Sequence, residues 1–236
     1  MGRDHDDLSA LQRLFREGSD EDVKRFFLLL RPAELADALE SAEEDDRLRV
    51  VRLMNAPLAS DVLRSVEDDQ REDILEDLSA GEIAEIVHES RSDDAADIIG
   101  ALPPEKAERT LQQLEQEERE ELRELLQYGE QTAGAIMQTE VVKVGVAGTV
   151  AVALQAVRDA DPDDVGEILE VYVVDSDGRP VGTVSPADLL QEEPTTPLRE
   201  VIEPNPVVVP VSMDQEQIAE TVLDHDLVAV PVVDDD

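Results

Sequence analysis

Arg31–Met54 reads RPAELADALESAEEDDRLRVVRLM, and the next 24 residues, Asn55–Leu78, read NAPLASDVLRSVEDDQREDILEDL. The two lines match without a gap. Leu35, Ala38, Leu39 and Ala42 fall where Ala59, Val62, Leu63 and Val66 fall, and Val50, Val51 and Met54 fall where Ile74, Leu75 and Leu78 fall. The same 24-residue frame takes in Asp7–Leu30, Ser79–Leu102 and Pro103–Leu126. Apolar residues spaced i, i+3, i+4, i+7 form one stripe on a helix. Each unit therefore predicts two short helices, joined by acidic turns such as Glu43–Asp46 and Glu67–Asp69. Pro32, Pro103 and Pro104 stand where a first helical turn tolerates proline. Helices this short are marginal alone, so their stripes must stack on neighbouring units. The expectation is an N-terminal all-α superhelix of two-helix repeats over residues 1–130.

Beyond Tyr128-Gly129, where a glycine is expected to close the last helix, the texture changes. β-Branched runs appear at Val141–Val146, Val171–Val174, Val181–Val184, Val207–Val211 and Val228–Val233, with amphipathic segments at Thr149–Asp159 and Asp214–Asp224. Ser212-x-x-Gln215 reads as a capping box for the second of these, and Asp177-Gly178 as a hairpin turn. The order is strand, helix, strand, hairpin, strand, then a helix through Pro186–Leu190, and the series begins again at Val201. Two α/β modules are implied, over residues 131–195 and 196–236, and the second lacks its hairpin partner and closing helix. Complete domains avoid such an unpaired edge strand, so the second module is expected to be cut short. The fold class is α+β and multidomain.

Composition narrows the chemistry. The 236 residues carry 59 acidic and 20 basic side chains, a formal charge of −39, with three Phe, two Tyr and no Trp or Cys. An apolar share of 41% is enough for a folded core. A phosphate-backbone partner needs clustered Lys and Arg, so nucleic acid is excluded. The absence of Cys excludes thiol catalysis, disulfides and Cys-ligated zinc. No apolar run reaches the roughly 20 residues of a membrane-spanning helix, and no signal-peptide core opens the chain. A soluble, intracellular chain without direct membrane insertion is expected. His5, His88 and His225 are scattered, and no Ser-His-Asp order, P-loop lysine or Gly-rich dinucleotide turn is present. The chain is not expected to be an enzyme, and it has no candidate catalytic residue. So much carboxylate is either a solvated acidic surface of the kind suited to concentrated salt, or a sink for hard divalent cations.

The acidic two-helix repeats, then Tyr128-Gly129-Glu130-Gln131-Thr132-Ala133-Gly134-x-Ile136-Met137, then Val171–Asp175 through Gly182-x-Val184-Ser185-x-x-Asp188-Leu189, together resemble the cytosolic part of MgtE-type magnesium transporters. Asp214-Gln215-Glu216 and Asp224-x-Asp226-Leu227-x-Ala229-x-Pro231 extend the match, which runs from about Asp7 to the end. The resemblance implies a superhelical domain followed by a pair of cystathionine-β-synthase (CBS) modules that dimerise. In the family a plug helix and a membrane-embedded Mg²⁺ pore follow, and raised Mg²⁺ between the helical domain and the CBS pair favours the closed pore. The parent protein is thus expected in the cell membrane, with this region on its cytoplasmic face.

The resemblance also places ligands. Asp93 and Asp97 match the family's metal-binding acid pair, and four-residue spacing puts both on one helix face. Asp61 falls where the family usually carries Glu, with a shorter reach, and Asp214, Glu216 and Asp226 match acidic positions of the CBS side. Mg²⁺ keeps several waters and takes one or two carboxylates directly, which suits loosely facing acidic surfaces. Ser185 and Asp188 stand at a helix start where CBS pairs hold adenine nucleotides such as ATP, or where they serve only as a cap. Ala187 replaces a basic residue often found there, and residues 131–236 offer only four basic side chains, so a nucleotide would need Mg²⁺ as counter-ion. The alternative to a Mg²⁺ sensor is a stand-alone helical-repeat and CBS scaffold that binds adenine nucleotides.

Overall fold

The computed structural model describes residues 11–129, 131–161 and 165–234. Its helices keep the repeat frame. They are α1 (Asp20–Phe27), α2 (Pro32–Glu40), α3 (Glu44–Leu53), α4 (Ala56–Ser65), α5 (Asp68–Asp77), α6 (Ala80–His88), α7 (Ser92–Gly100), α8 (Pro104–Leu111) and α9 (Gln116–Leu125). Both series step by 24 residues, from Asp20 to Gln116 and from Pro32 to Pro104. Helices α2, α4, α6 and α8 stack on one another in order, and α1, α3 and α5 form a second row. The predicted stripes are the core: Leu35, Ala38, Leu39, Val50, Val62, Leu63 and Leu75 are fully buried, with Phe15, Val23 and Ile83.

Three helix boundaries differ from the sequence reading. The acids at Glu43–Asp46 and Glu67–Asp69 are not turns: Glu43 and Glu67 are N-caps, and the acids after them form the first turns of α3 and α5. Carboxylates there face the unsatisfied amides and the positive end of the helix dipole. The last helix stops at Leu125 rather than at Gly129, whose carbonyl accepts bonds from the Thr132 amide and hydroxyl. Basic side chains reach carbonyls at two of the opposite helix ends. Lys106 Nζ donates to the Leu75 and Glu76 carbonyls at 2.7 Å, and Arg49 reaches the Phe15 and Gly18 carbonyls at 2.8 Å.

The chain divides into two compact units: residues up to Ser90 with Asp94–Leu122, and Arg91–Asp93 with Arg123 onward. The second unit contains α10 (Ala133–Ile136), β1 (Lys143–Gly145), α11 (Val150–Asp159), β2 (Val171–Val174), β3 (Pro180–Val184), α12 (Pro186–Leu189), β4 (Glu203–Pro204), β5 (Val209–Pro210), α13 (Gln215–Asp224) and β6 (Val232–Val233). Strands β1 and β2 pair in parallel, and β3 and β4 add antiparallel neighbours; β5 and β6 form a separate parallel pair. Val144, Val150, Ala153, Val171, Val173, Leu189 and Leu198 fill the larger core.

The β2–β3 hairpin turns where predicted. Asp175 Oδ1 accepts the Asp177 and Arg179 amides at 2.9 and 3.0 Å, and Gly178 takes φ 82°. The Thr132-Ala133-Gly134 junction packs on the second sheet: the Ala133 and Gly134 amides donate to the Met213 and Val211 carbonyls. Ala133 is buried with Val209 and Ile218. A Cβ at position 134 would overlap the Tyr128 ring, so only glycine fits there.

Candidate functional site

The acids singled out in the sequence occupy distinct local settings. Asp61, on the exposed face of α4, pairs with Arg64 at 3.1 Å, and Arg64 also reaches Asp94 at 3.6 Å. Asp97 is exposed on α7. Asp93 is different. Its Oδ2 accepts a bond from Gln138 Nε2 at 3.2 Å and lies 3.7 Å from the Arg91 guanidinium, whereas its Oδ1 is buried without a partner.

On the CBS side, Asp214 caps α13: its Oδ1 accepts the Glu216 amide at 2.9 Å, and the Glu216 carboxylate is exposed in the first turn. This corrects the predicted Ser212 cap. Both residue types cap well, but the helix begins at Gln215, so the cap position falls on Asp214. Asp226 follows the end of α13 at φ 52°, exposed, in the left-handed region. Among the described residues, no three His, Asp or Glu side chains converge in a group that would hold a metal ion.

Ser185 and Asp188 bond each other at the start of α12. The Asp188 amide donates to Ser185 Oγ at 3.1 Å, and the hydroxyl donates to Asp188 Oδ2 at 2.7 Å. Glu170, which the sequence reading missed, stands close by. Burial pushes its carboxyl above the usual range, and Glu203 and Asp188 push the same way, against a hydrogen bond from Thr183. The only sequence signal was an acid immediately before a β-branched strand. Elsewhere in the same unit, a cleft of 1120 Å³ is lined by Lys143, Tyr172, Arg179, Asn205, Val208 and Val230 among others. Burial, followed by Glu170, pushes the Tyr172 phenol upward.

The fit to Mg²⁺ rests on donor chemistry. Every candidate ligand is a carboxylate, the hard oxygen donor Mg²⁺ prefers, and Asp93 holds one oxygen out of water with no protein donor on it.

A family model described as the MgtE intracellular N domain matches residues 30–131, and a CBS domain model matches 133–195 and 198–236. The magnesium transporters MgtE of Enterococcus faecalis and Thermus thermophilus are 39% and 38% identical over 114 and 112 residues. Each alignment covers 48% of this chain and 25% of the transporter. The crystal structure of the cytosolic domain of the Mg²⁺ channel MgtE in complex with ATP superposes with a TM-score of 0.89 at 30% identity, covering 97% of this chain and 93% of that one. The soluble part of a magnesium transporter gives 0.85 at 29%, covering 98% and 91%. Among the described residues, no helix is long and apolar enough to cross a membrane.

Proposed function

We propose, from the premise that this chain belongs to the MgtE family, that it is a Mg²⁺-sensing regulatory region on the cytoplasmic side of a magnesium transporter. Divalent cations bound between acidic faces of the helical repeats and the CBS modules favour the closed state of a membrane-embedded pore domain. The partners are that pore domain and a second copy of the chain, joined through the CBS modules. Asp93, Asp97, Glu216 and Asp226 are the principal ligands, with Asp61 and Asp214 as lesser ones. Like-charged faces repel until cations neutralise them, so ion concentration sets which arrangement is populated. A ligand that binds one arrangement better can shift the population only by that difference in affinity.

The observation that carries this reading is the buried, unpartnered Oδ1 of Asp93, since an acceptor removed from water without a donor is costly unless a cation or proton joins it. Small-angle scattering in concentrated KCl tests it. The expected result is a smaller radius of gyration at saturating Mg²⁺ than without it, and a blunted change when Asp93→Ala and Asp97→Ala are combined. Identical profiles at zero and saturating Mg²⁺ would remove the proposal.

A second reading, a scaffold for adenine nucleotides, draws on the relative solved with ATP. Ser185 and Asp188 would hold the ribose there. Because Asp188 shares its surroundings with Glu170 and Glu203, a polyphosphate would enter only with a divalent counter-ion. Calorimetry separates the two: heats from ATP with no Mg²⁺-dependent compaction favour the scaffold.

A further inference from the structure

Helix α7 is capped by a residue far along the chain. The Ser92 amide donates to Glu140 Oε1 at 2.8 Å, and the Ser92 hydroxyl donates to Glu140 Oε2, also at 2.8 Å. The Thr139 amide returns a bond to Ser92 Oγ at 3.0 Å, and Gln138 Nε2 holds Asp93 Oδ2 at 3.2 Å. By contrast, α1, α4 and α6 are capped by their own preceding residues, Ser19, Asn55 and Ser79. Ser92 is only 6% exposed, so without Glu140 its amide and hydroxyl would be buried donors with nothing to bind. Residues 91–93 fall in the second unit, although they open a helix of the repeat series.

The three residues 138–140 therefore fix the first turn of α7 and one oxygen of Asp93, and the other oxygen is left buried and without a partner. We propose that Glu140 is a positioning residue. It does not touch the cation; it holds Ser92 and the turn that carries Asp93, so that Asp93 Oδ1 is presented already desolvated and already oriented. A carboxylate on a freely moving turn would first have to be ordered before it could bind, and that ordering would weaken the site. Nothing in the local sequence around Asp93 announces this partner, because it arrives from 48 residues away. The inference rests on the reading of Asp93 as a Mg²⁺ ligand.

The test follows backbone amide NMR signals of residues 93–95 during a Mg²⁺ titration of the whole chain in concentrated KCl, in the wild type and four variants. Residues supporting a metal ligand typically change affinity 10- to 100-fold when removed. Glu140→Ala is thus expected to raise the Mg²⁺ midpoint at residues 93–95 about tenfold, while signals around Asp226 keep the wild-type midpoint. Glu140→Gln, which retains an acceptor for the Ser92 amide, is expected to restore most of the affinity. Asp93→Asn should abolish the titration at these signals. If Asp93→Asn leaves the titration unchanged, the ligand reading of Asp93 fails. If Asp93→Asn abolishes it but Glu140→Ala keeps the wild-type midpoint, the positioning role alone is overturned. A Glu140→Gln variant as weak as Glu140→Ala overturns it too, since charge rather than geometry would then be at work. Should Glu140→Ala not fold, Glu140→Gln and Ser92→Ala carry the test: the former must stay near wild type and the latter must shift the midpoint upward.

Discussion

The Leu227 amide donates to the Val222 carbonyl at 3.0 Å, closing α13 with a six-to-one bond that places Asp226 at φ 52°. The Asp226 amide completes the motif on the Leu223 carbonyl at 3.4 Å. Glycine is the usual residue at this position because it has no Cβ to clash; aspartate is tolerated at a cost. The carboxylate is kept where backbone physics would favour its removal. Asp226→Gly should therefore leave stability unchanged or higher, and Asp226→Ala should lower it by about 1 kcal/mol, while both weaken Mg²⁺ binding. Denaturant melts paired with Mg²⁺ titration check this. Equal Mg²⁺ affinity in all three proteins would show that Asp226 is retained for another reason.

A second prediction concerns the capping box of α6. Ser79 Oγ accepts the Glu82 amide, and the Glu82 carboxylate accepts the Ser79 amide at 2.7 Å and pairs with Arg52 at 2.8 Å. The Ser79 backbone bond, then its hydroxyl, then Arg52 hold the Glu82 carboxyl down to about 2. The folded value lies below the unfolded one, so the contribution is present above about pH 4.5 and is lost as pH falls toward 2. Glu82→Gln should be less stable than wild type at neutral pH, and the gap should narrow as pH falls from 5 to 3. Ser79→Ala should cost about 1 kcal/mol. Urea melts at stepped pH give both numbers.

The repeat frame was legible because each helix shows the core the same stripe, so Leu35 and Ala59 announce the same position 24 residues apart. The strands were less so. Val207–Val211 and Val228–Val233 shrink to two-residue strands at Val209–Pro210 and Val232–Val233. Pro210 and Pro231 deny those runs amides that a longer ladder needs. The candidate acids were found by likeness to a family. What likeness did not supply was their setting: the cap from Glu140 and the raised carboxyl of Glu170 depend on residues brought close only by folding, and the left-handed backbone of Asp226 on how α13 closes.

The repeat stack should also depend on Lys106. Its ammonium holds the last carbonyls of α5 from α8, and burial pushes its pKa below the usual lysine range, with Asp77 and Glu76 opposing. Lys106→Met removes the donor from both carbonyls and is expected to cost about 1–2 kcal/mol. Hydrogen exchange at the Ile74 and Leu75 amides should rise with it. Unchanged exchange and an unchanged melt would mean that water replaces the ammonium without loss.

Glu170 offers the opposite pH signature to Glu82. Burial first, then Glu203 and Asp188, raises its carboxyl above the usual range, and the Thr183 hydrogen bond only partly offsets them. A raised folded value means that the folded state holds the proton longer than the unfolded chain does. The favourable contribution is complete below the unfolded value and disappears as pH rises through the folded one. At neutral pH an ionised Glu170 is thus a net burden, and Glu170→Gln should be more stable than wild type there, with the difference closing below pH 4. The same change should ease nucleotide entry beside Ser185 and Asp188, so ATP heats without Mg²⁺ should increase in the variant. Melts at pH 4 and 7 together with ATP calorimetry decide it; a Glu170→Gln protein less stable than wild type at pH 7 would mean that the ionised carboxylate is held by a partner that outweighs its burial.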